Sequence, residues 1–265
     1  MKLLVGTLII GGLAMAAYTQ PPVREPVRDV TYVFYDNEEV EAEKNGLGRV
    51  SRAHPDWLVA DFAILMEPSG ATVEGGCNGT MRVEVTTKGK AAHSARAWMG
   101  HNAIHEAGEI LARLRAWEEQ AVEVDGLVYR ECLNAVSIEG GIAGNVIPDR
   151  CVVRVNYRFA PSKTPADAEA YLREVFAPYD VVVVDVSPGA RPGLDRPAAA
   201  AFVAAIGREP RPKYGWTDVS RFSELGVPAV NFGPADPSLS HTDEEHCPVD
   251  AIVETEQRML RWLTS

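Results

Sequence analysis

Acidic and histidine side chains follow three strand-like apolar runs of this chain. They are Glu38 and Glu39 after residues 30–35, Glu67 after residues 62–66, and His241 after residues 229–233. In open α/β sheets, ligands bind beyond the carboxyl ends of the strands. Carboxylates and imidazole are ligands that zinc accepts, and a bound metal ion can generate a nucleophile from water. The pattern therefore predicts a hydrolytic metal centre.

The adjacent residues Glu38 and Glu39 suit a division of labour. Neighbouring side chains on an extended turn point in different directions. One carboxylate can therefore bind a metal ion while the other takes a proton from water as a general base. A solvated acidic loop is the alternative interpretation, because Glu41 and Glu43 follow closely.

The other candidates also have structural alternatives. Glu67 ends an apolar run, and Pro68 after it removes a backbone donor and restrains the turn. His241 precedes the acidic residues 243–245, which could orient its imidazole, but an exposed polar loop has the same composition. His93 lies among small residues just past a predicted strand, where a hydrogen-bonded loop histidine is the ordinary interpretation.

Composition excludes some partners and leaves others open. The formal net charge of -11 over 265 residues would repel nucleic acid and anionic membranes. A small-molecule substrate stays compatible, because a cleft can carry the opposite charge to the whole molecule. The four cysteines are far apart and make no CxxC pair, which predicts reduced thiols in a cytoplasmic protein.

Residues 2–17 have two interpretations. One basic residue, an apolar stretch and small residues near its end resemble a signal peptide, although the stretch is short for a membrane span. The alternative, which we favour, is a buried helix of an α/β domain at a misassigned or truncated start. No other segment of the sequence could cross a bilayer, so we expect a cytoplasmic protein.

The order of the predicted elements indicates an α/β fold in which one domain is inserted into another. Strands alternate with helical stretches near the start, which predicts a parallel sheet covered on both faces. The middle of the chain has the β-α-β-β-α-β order of the ferredoxin-like motif. We therefore predict a sheet domain over residues 1–77 and 189–265, interrupted by a small β-rich domain over residues 78–188.

Apolar periodicity marks the individual elements. The predicted strands cover residues 30–35, 62–66, 72–76, 80–87, 133–138, 151–159, 181–186 and 229–232. The predicted helices cover residues 99–117, a stretch that begins at 164–167, residues 197–206, and roughly residues 249–264.

Seven short motifs occur in the order in which they occur in the M20 family of metallopeptidases and deacylases. They are Asp-Asn-Glu-Glu at 36–39, Glu-Pro-Ser at 67–69, residues 89–95 with their Ala-His-Ser, Gly-Asn-Val-Ile-Pro at 144–148, Asn-Tyr-Arg-Phe at 156–159, Gly-Trp-Thr-Asp at 215–218 and Ser-His-Thr at 240–242. From Pro26 to its C-terminus, the chain therefore resembles this family. It is most similar to the actinobacterial branch that hydrolyses N-succinyl-LL-2,6-diaminopimelate.

The resemblance implies a zinc-hydrolase sheet domain with an inserted lid and dimerisation domain. Glu38 matches the family's general base, and Glu67 matches a ligand of one zinc ion. Glu39 and His241 match ligands of the other zinc ion, and cobalt is an alternative metal. The implied reaction releases succinate and LL-2,6-diaminopimelate in lysine and cell-wall precursor synthesis.

Four further residues match positions that contact the substrate. His93 matches a lid-domain histidine that reaches the active site of the partner in a homodimer and polarises the scissile carbonyl. Asn145, Arg158 and Thr217 match substrate-holding positions. The planar guanidinium of Arg158 suits a succinyl carboxylate because it can bind the carboxylate bidentately.

The N-terminal region departs from the family's pattern. In the family, a His-x-Asp metal motif and a bridging Asp precede the Glu-Glu motif, whereas here no histidine precedes His54 and the first acidic residue is Glu25. We therefore expect an N-terminally truncated chain that holds one metal ion weakly, with impaired activity and poor solubility. Two alternatives stay open. One is another M20 amide hydrolase, such as an acetylornithine deacetylase or a carboxypeptidase, and the other is a catalytically dead dimerisation module.

Overall fold

The computed structural model describes residues 2–7, 25–38 and 43–265. The chain divides into two compact units. The first comprises Met1–Cys77, Val124–Leu127 and Ala190–Ser265, and the second comprises Asn78–Glu123 and Val128–Gly189. No helix within the described ranges is long and apolar enough to cross a membrane.

The strands and helices are numbered in chain order. The strands are β1 (Lys2–Thr7), β2 (Asp29–Phe34), β3 (Phe62–Leu65), β4 (Glu74–Gly75), β5 (Gly79–Lys88), β6 (Ala92–His93), β7 (Gln120–Val124), β8 (Leu127–Gly140), β9 (Val146–Ile147), β10 (Arg150–Phe159), β11 (Asp180–Ser187), β12 (Arg211–Pro212) and β13 (Ala229–Asn231). The α-helices are α1 (Gly46–Ala53), α2 (Ala103–Ala116), α3 (Pro165–Val175), α4 (Pro197–Ile206), α5 (Val219–Glu224) and α6 (Val249–Leu263). Short 3-10 helices cover Pro55–Leu58, Ser94–Met99 and Pro237–Leu239. Every strand and helix predicted from periodicity is present, with shifted ends.

The first unit is built on a mixed sheet with the strand order β12-β4-β13-β3-β1-β2. Strands β2, β1, β3 and β13 are parallel to one another, whereas β4 runs antiparallel to β13. The predicted parallel sheet is therefore confirmed for these four strands and wrong for β4. The connection from β3 to β4 is too short for the crossover that a parallel direction would need.

Strand β1 corrects the expectation of a helix over residues 2–17. Lys2–Thr7 pairs in parallel with β2 on one edge and with β3 on the other. Residues 8–17 lie outside the described ranges. A strand between two parallel neighbours reads as a continuous apolar run, and periodicity does not distinguish such a run from a short buried helix.

Helices cover both faces of this sheet, as predicted. On one face, Phe62 of β3 packs in a buried cluster with Phe202 of α4 and Trp262 of α6. On the other face, Leu65 of β3 belongs to a cluster to which α5 contributes Phe222. Residues three apart on a strand point to opposite faces, so β3 is buried on both sides.

The second unit contains a sheet with the strand order β11-β5-β10-β8-β7. Strand β5 pairs antiparallel with β10 and β11, and β10 pairs antiparallel with β8, while α2 and α3 contribute to one buried cluster with the sheet. This arrangement confirms the ferredoxin-like motif and extends it by β7. Periodicity missed β7 because Gln120–Val124 is mostly exposed and carries little apolar alternation.

Candidate active site

The turn after β2 carries Glu38, which is only 9% exposed. Asn37 in this turn has the left-handed φ of 55°. The Gly46 N–H donates to Asp36 O at 2.8 Å, and Asn45 Nδ2 donates to Glu38 O at 3.2 Å. The start of α1 therefore holds the Glu38 turn at two points of its backbone.

The turn after β3 carries Glu67, which is half-buried. Ser69 Oγ accepts a hydrogen bond from Gly233 N at 3.0 Å and donates to Gly233 O at 3.2 Å. Because Gly233 follows β13, these bonds connect the ends of two adjacent parallel strands. A Cβ atom at Gly233 would lie 2.5 Å from Glu67 O. The position of the Glu67 turn thus depends on a glycine beyond the neighbouring strand.

We expect Gly233→Ala to displace the Glu67 turn and to lower the free energy of unfolding by roughly 1–3 kcal/mol, because overpacking forces a backbone shift. The matched control is Gly108→Ala in α2, where no atom lies within 4 Å of the added Cβ. This control should raise stability by up to about 1 kcal/mol, since alanine favours a helix interior over glycine. Chemical denaturation measures both variants, and an unchanged midpoint for Gly233→Ala would contradict the expected clash.

The phenol of Tyr35 lies within electrostatic range of both turns. Burial raises the pKa of Tyr35, and the negative charges of Asp218, Glu38 and Glu67 raise it further. The carboxylates of Glu38 and Glu67, which follow two different strands, therefore both act electrostatically on one hydroxyl. Parallel strands produce such convergence at their carboxyl edge.

His241 is exposed in the loop after β13. Its backbone N–H donates to Glu245 Oε2 at 2.9 Å, and its φ is 63°. Over the ranges that the structure describes, no three His, Cys, Asp or Glu side chains come close enough to hold a metal ion. His241 is therefore not joined to Glu38 and Glu67 in a three-ligand group. Glu39 lies outside the described residues, and the donors that are described do not by themselves fit the expected two-zinc centre.

Thr217 is buried, and its Oγ1 donates to Asn231 Oδ1 at 2.9 Å. Asn231 ends β13, is fully buried and donates from Nδ2 to Gly76 O at 3.3 Å. The Thr217 hydroxyl proton is thus used in a hydrogen bond within the protein, so this hydroxyl can only accept a hydrogen bond from a substrate. Sequence reasoning missed Asn231, although an amide that ends an apolar strand run is the signal that could have found it.

His93 and Asn145 lie together in the second unit. His93 pairs with Val146 between β6 and β9, and Ser94 N donates to Asn145 O at 2.9 Å. The Nδ1 atom of His93 accepts from Ala95 N at 3.1 Å, so a neutral ring carries its proton on Nε2. The exposed imidazole can therefore present an N–H donor to a ligand.

Arg158 lies toward the opposite end of the sheet of the second unit. In the pairing of β5 with β10, Arg150 lies opposite Lys88 and Arg158 lies opposite Thr80. At a rise of ~3.4 Å per residue, Arg158 is about 27 Å along the strand from Arg150. The turns of His93 and Asn145 lie beyond the end of β10 at which Arg150 stands. Within one chain, these two residues are therefore far from Arg158.

Comparison with known proteins finds relatives over most of the chain. The family model for the M20 peptidase dimerisation domain matches residues 76–182. A Mycobacterium tuberculosis protein named "Putative succinyl-diaminopimelate desuccinylase DapE" is 49% identical over 254 residues, which are 95% of this chain and 72% of the relative. The succinyl-diaminopimelate desuccinylase of Corynebacterium glutamicum is 43% identical over 242 residues, which are 89% of this chain and 66% of the relative.

A solved structure with the same fold is the M20 family metallo-carboxypeptidase Sso-CP2 from Sulfolobus solfataricus. It superposes with a TM-score of 0.69 over 99% of this chain and 84% of its own, at 14% sequence identity. At that identity, the likeness concerns the fold alone.

Proposed function

This chain belongs to the M20 family of metallopeptidases and deacylases, and we propose that its reaction is hydrolysis of N-succinyl-LL-2,6-diaminopimelate to succinate and LL-2,6-diaminopimelate. The observation that carries the proposal is the 49% identity over 95% of the chain to a relative named for this reaction. The buried Glu38 at the carboxyl edge of the sheet is consistent with it.

In this proposal, the first unit is the catalytic domain and Glu38 is its general base. The Glu38 carboxylate takes a proton from the attacking water, and the same proton can be returned to the amine as the amide bond breaks. The peptide turn that carries Glu38 is held by Asn45 and Gly46, so the carboxylate is positioned before substrate binds.

The metal requirement is also a proposal. By their match to the family motifs, Glu39, Glu67 and His241 would be the ligands, and zinc would be the metal. Such a metal ion would supply Lewis-acid chemistry. The described donors do not form a complete site for it.

The second unit would be the lid and dimerisation domain of a homodimer. His93 would act in the site of the partner subunit, and Asn145 and Arg158 would hold the substrate. The separation of about 27 Å along β10, from the strand rise, keeps Arg158 apart from His93 and Asn145 within one chain.

A cytoplasmic location fits the cysteines. All four are free thiols, namely Cys77, Cys132, Cys151 and Cys247. Free thiols are typical of reducing compartments, where lysine and cell-wall precursor synthesis would take place. We therefore propose a cytoplasmic location.

The experiment is a substrate panel with the full chain and added zinc. We expect kcat/KM for N-succinyl-LL-2,6-diaminopimelate to exceed the values for N-acetylornithine and for a dipeptide by more than tenfold. Arg158→Ala should raise KM for the succinyl substrate more than for N-acetylornithine, because the succinyl group ends in a carboxylate and the acetyl group does not. A preference for either other substrate would contradict the proposal, and no turnover together with no bound metal would favour a catalytically dead module.

A further inference from the structure

We propose that Asp218 is a positioning residue that fixes the Glu38 turn through Tyr35 and Asn45. The inference rests on the proposed role of Glu38 as general base. Asp218 is the last residue of the 215–218 motif. In that motif, the proposed substrate contacts involve only Thr217, so the inference gives Asp218 a function of its own.

Three donors converge on the Asp218 carboxylate, which is fully buried at the start of α5. Asn45 Nδ2 lies 3.2 Å from Oδ1 and 3.0 Å from Oδ2, and Arg221 Nε lies 2.8 Å from Oδ1. The Tyr35 hydroxyl is the third donor. All three contacts require an acceptor at position 218, which an ionised carboxylate provides.

Helix capping does not account for this carboxylate. Asp218 occupies the N-cap position of α5, yet its side chain makes no capping hydrogen bond. Its oxygens accept instead from Tyr35 before the Glu38 turn, from Asn45 after it, and from Arg221 in α5 itself. A buried carboxylate is costly unless it is hydrogen-bonded, so these contacts are what keep it in place.

The contacts lead directly to the backbone of the turn. Asn45 donates to Asp218 and to Glu38 O, while its Oδ1 accepts from Gly48 N at 2.7 Å and so caps α1. Tyr35 precedes the turn by one residue and carries the phenol that bonds to Asp218. Asp218 therefore holds the turn from its entry and from its exit.

The test is Asp218→Asn in the full chain, because asparagine keeps the shape but replaces one of the two acceptor oxygens with an N–H₂ donor. We expect kcat for N-succinyl-LL-2,6-diaminopimelate to fall by 10- to 100-fold, with KM changed by less than threefold. The matched control is Ile110→Val in α2, which removes one methyl group from the buried cluster of the second unit. It should lower thermal stability while leaving kcat within twofold.

A second readout is independent of turnover. Hydrogen exchange at the Gly46 and Gly48 amides should be at least tenfold faster in Asp218→Asn than in the unaltered chain, and unchanged in Ile110→Val. Tyr35→Phe removes only one of the three donors, so it should increase these exchange rates by a smaller factor. This variant replaces Asp218→Asn in the test if Asp218→Asn does not fold. Unchanged exchange in both variants would overturn the positioning role. An unaltered chain without turnover would overturn the proposed function alone, because the exchange experiment still tests Asp218.

Discussion

Replacing Glu38 with glutamine is expected to lower kcat for N-succinyl-LL-2,6-diaminopimelate by at least about a hundredfold, the low end of what a general base contributes. Glutamine keeps the size of the side chain and can hydrogen-bond, but it does not take a proton from water at neutral pH.

The control for this variant is Glu43→Gln. Glu43 lies five positions further along the acidic stretch and is exposed. Its substitution removes the same charge from the chain and should leave kcat within twofold. If Glu38→Gln retained more than half of the activity, Glu38 would not be the general base, and the base would have to be sought elsewhere.

Phe202→Ala should lower the free energy of unfolding of the first unit by about 3–5 kcal/mol, the usual cost of removing a buried phenylalanine. The Phe202 ring is fully buried and lies 4.9 Å from Trp262, 5.2 Å from Phe232 and 5.6 Å from Phe62, measured between ring centroids. Its removal would leave a cavity among three aromatic rings, together with the loss of their edge contacts.

This core also supports the candidate site. Phe62 begins β3, which leads to Glu67, and Phe232 follows β13 immediately before Gly233. Denaturant unfolding of Phe202→Ala, with Phe202→Leu as the control, measures the effect. The leucine variant should lose less than half as much stability, since it fills most of the volume. Equal losses in the two variants would mean that the cavity is not the cause.

Local patterns predicted most of the fold. The alternation over residues 80–87 and 151–159 gave β5 and β10 almost in full, and Thr164 with Asp167 marked the start of α3 through their capping box. Patterns failed where the local signal was ambiguous or weak. Residues 2–7 were predicted to be helical because a strand between two parallel neighbours is uniformly apolar, as a buried helix is. Strand β7 was missed because an edge strand need not alternate apolar and polar residues.

The candidate site was only partly predictable for a related reason. Glu38 and Glu67 became candidates because each follows an apolar run, which is a property of adjacent residues. Asp218 was read as the end of a motif without a role of its own. Its importance arises from contacts with Asn45, 173 positions away in the chain, which no local pattern encodes.

The sequence by itself determined the family, the succession of strands and helices, and the placement of carboxylates just beyond strand ends. These features follow from periodicity, turn residues and short motifs, which act over a few neighbouring positions. Only the tertiary structure decided that the charges of Glu38 and Glu67 both act on Tyr35, and that Asp218 contacts Tyr35 and Asn45, which lie on either side of Glu38 in the sequence. It also separated Arg158 from the turns of His93 and Asn145. The reason is that strand order and register set every long-range distance, and neither is fixed until all strands pair and their side chains pack together.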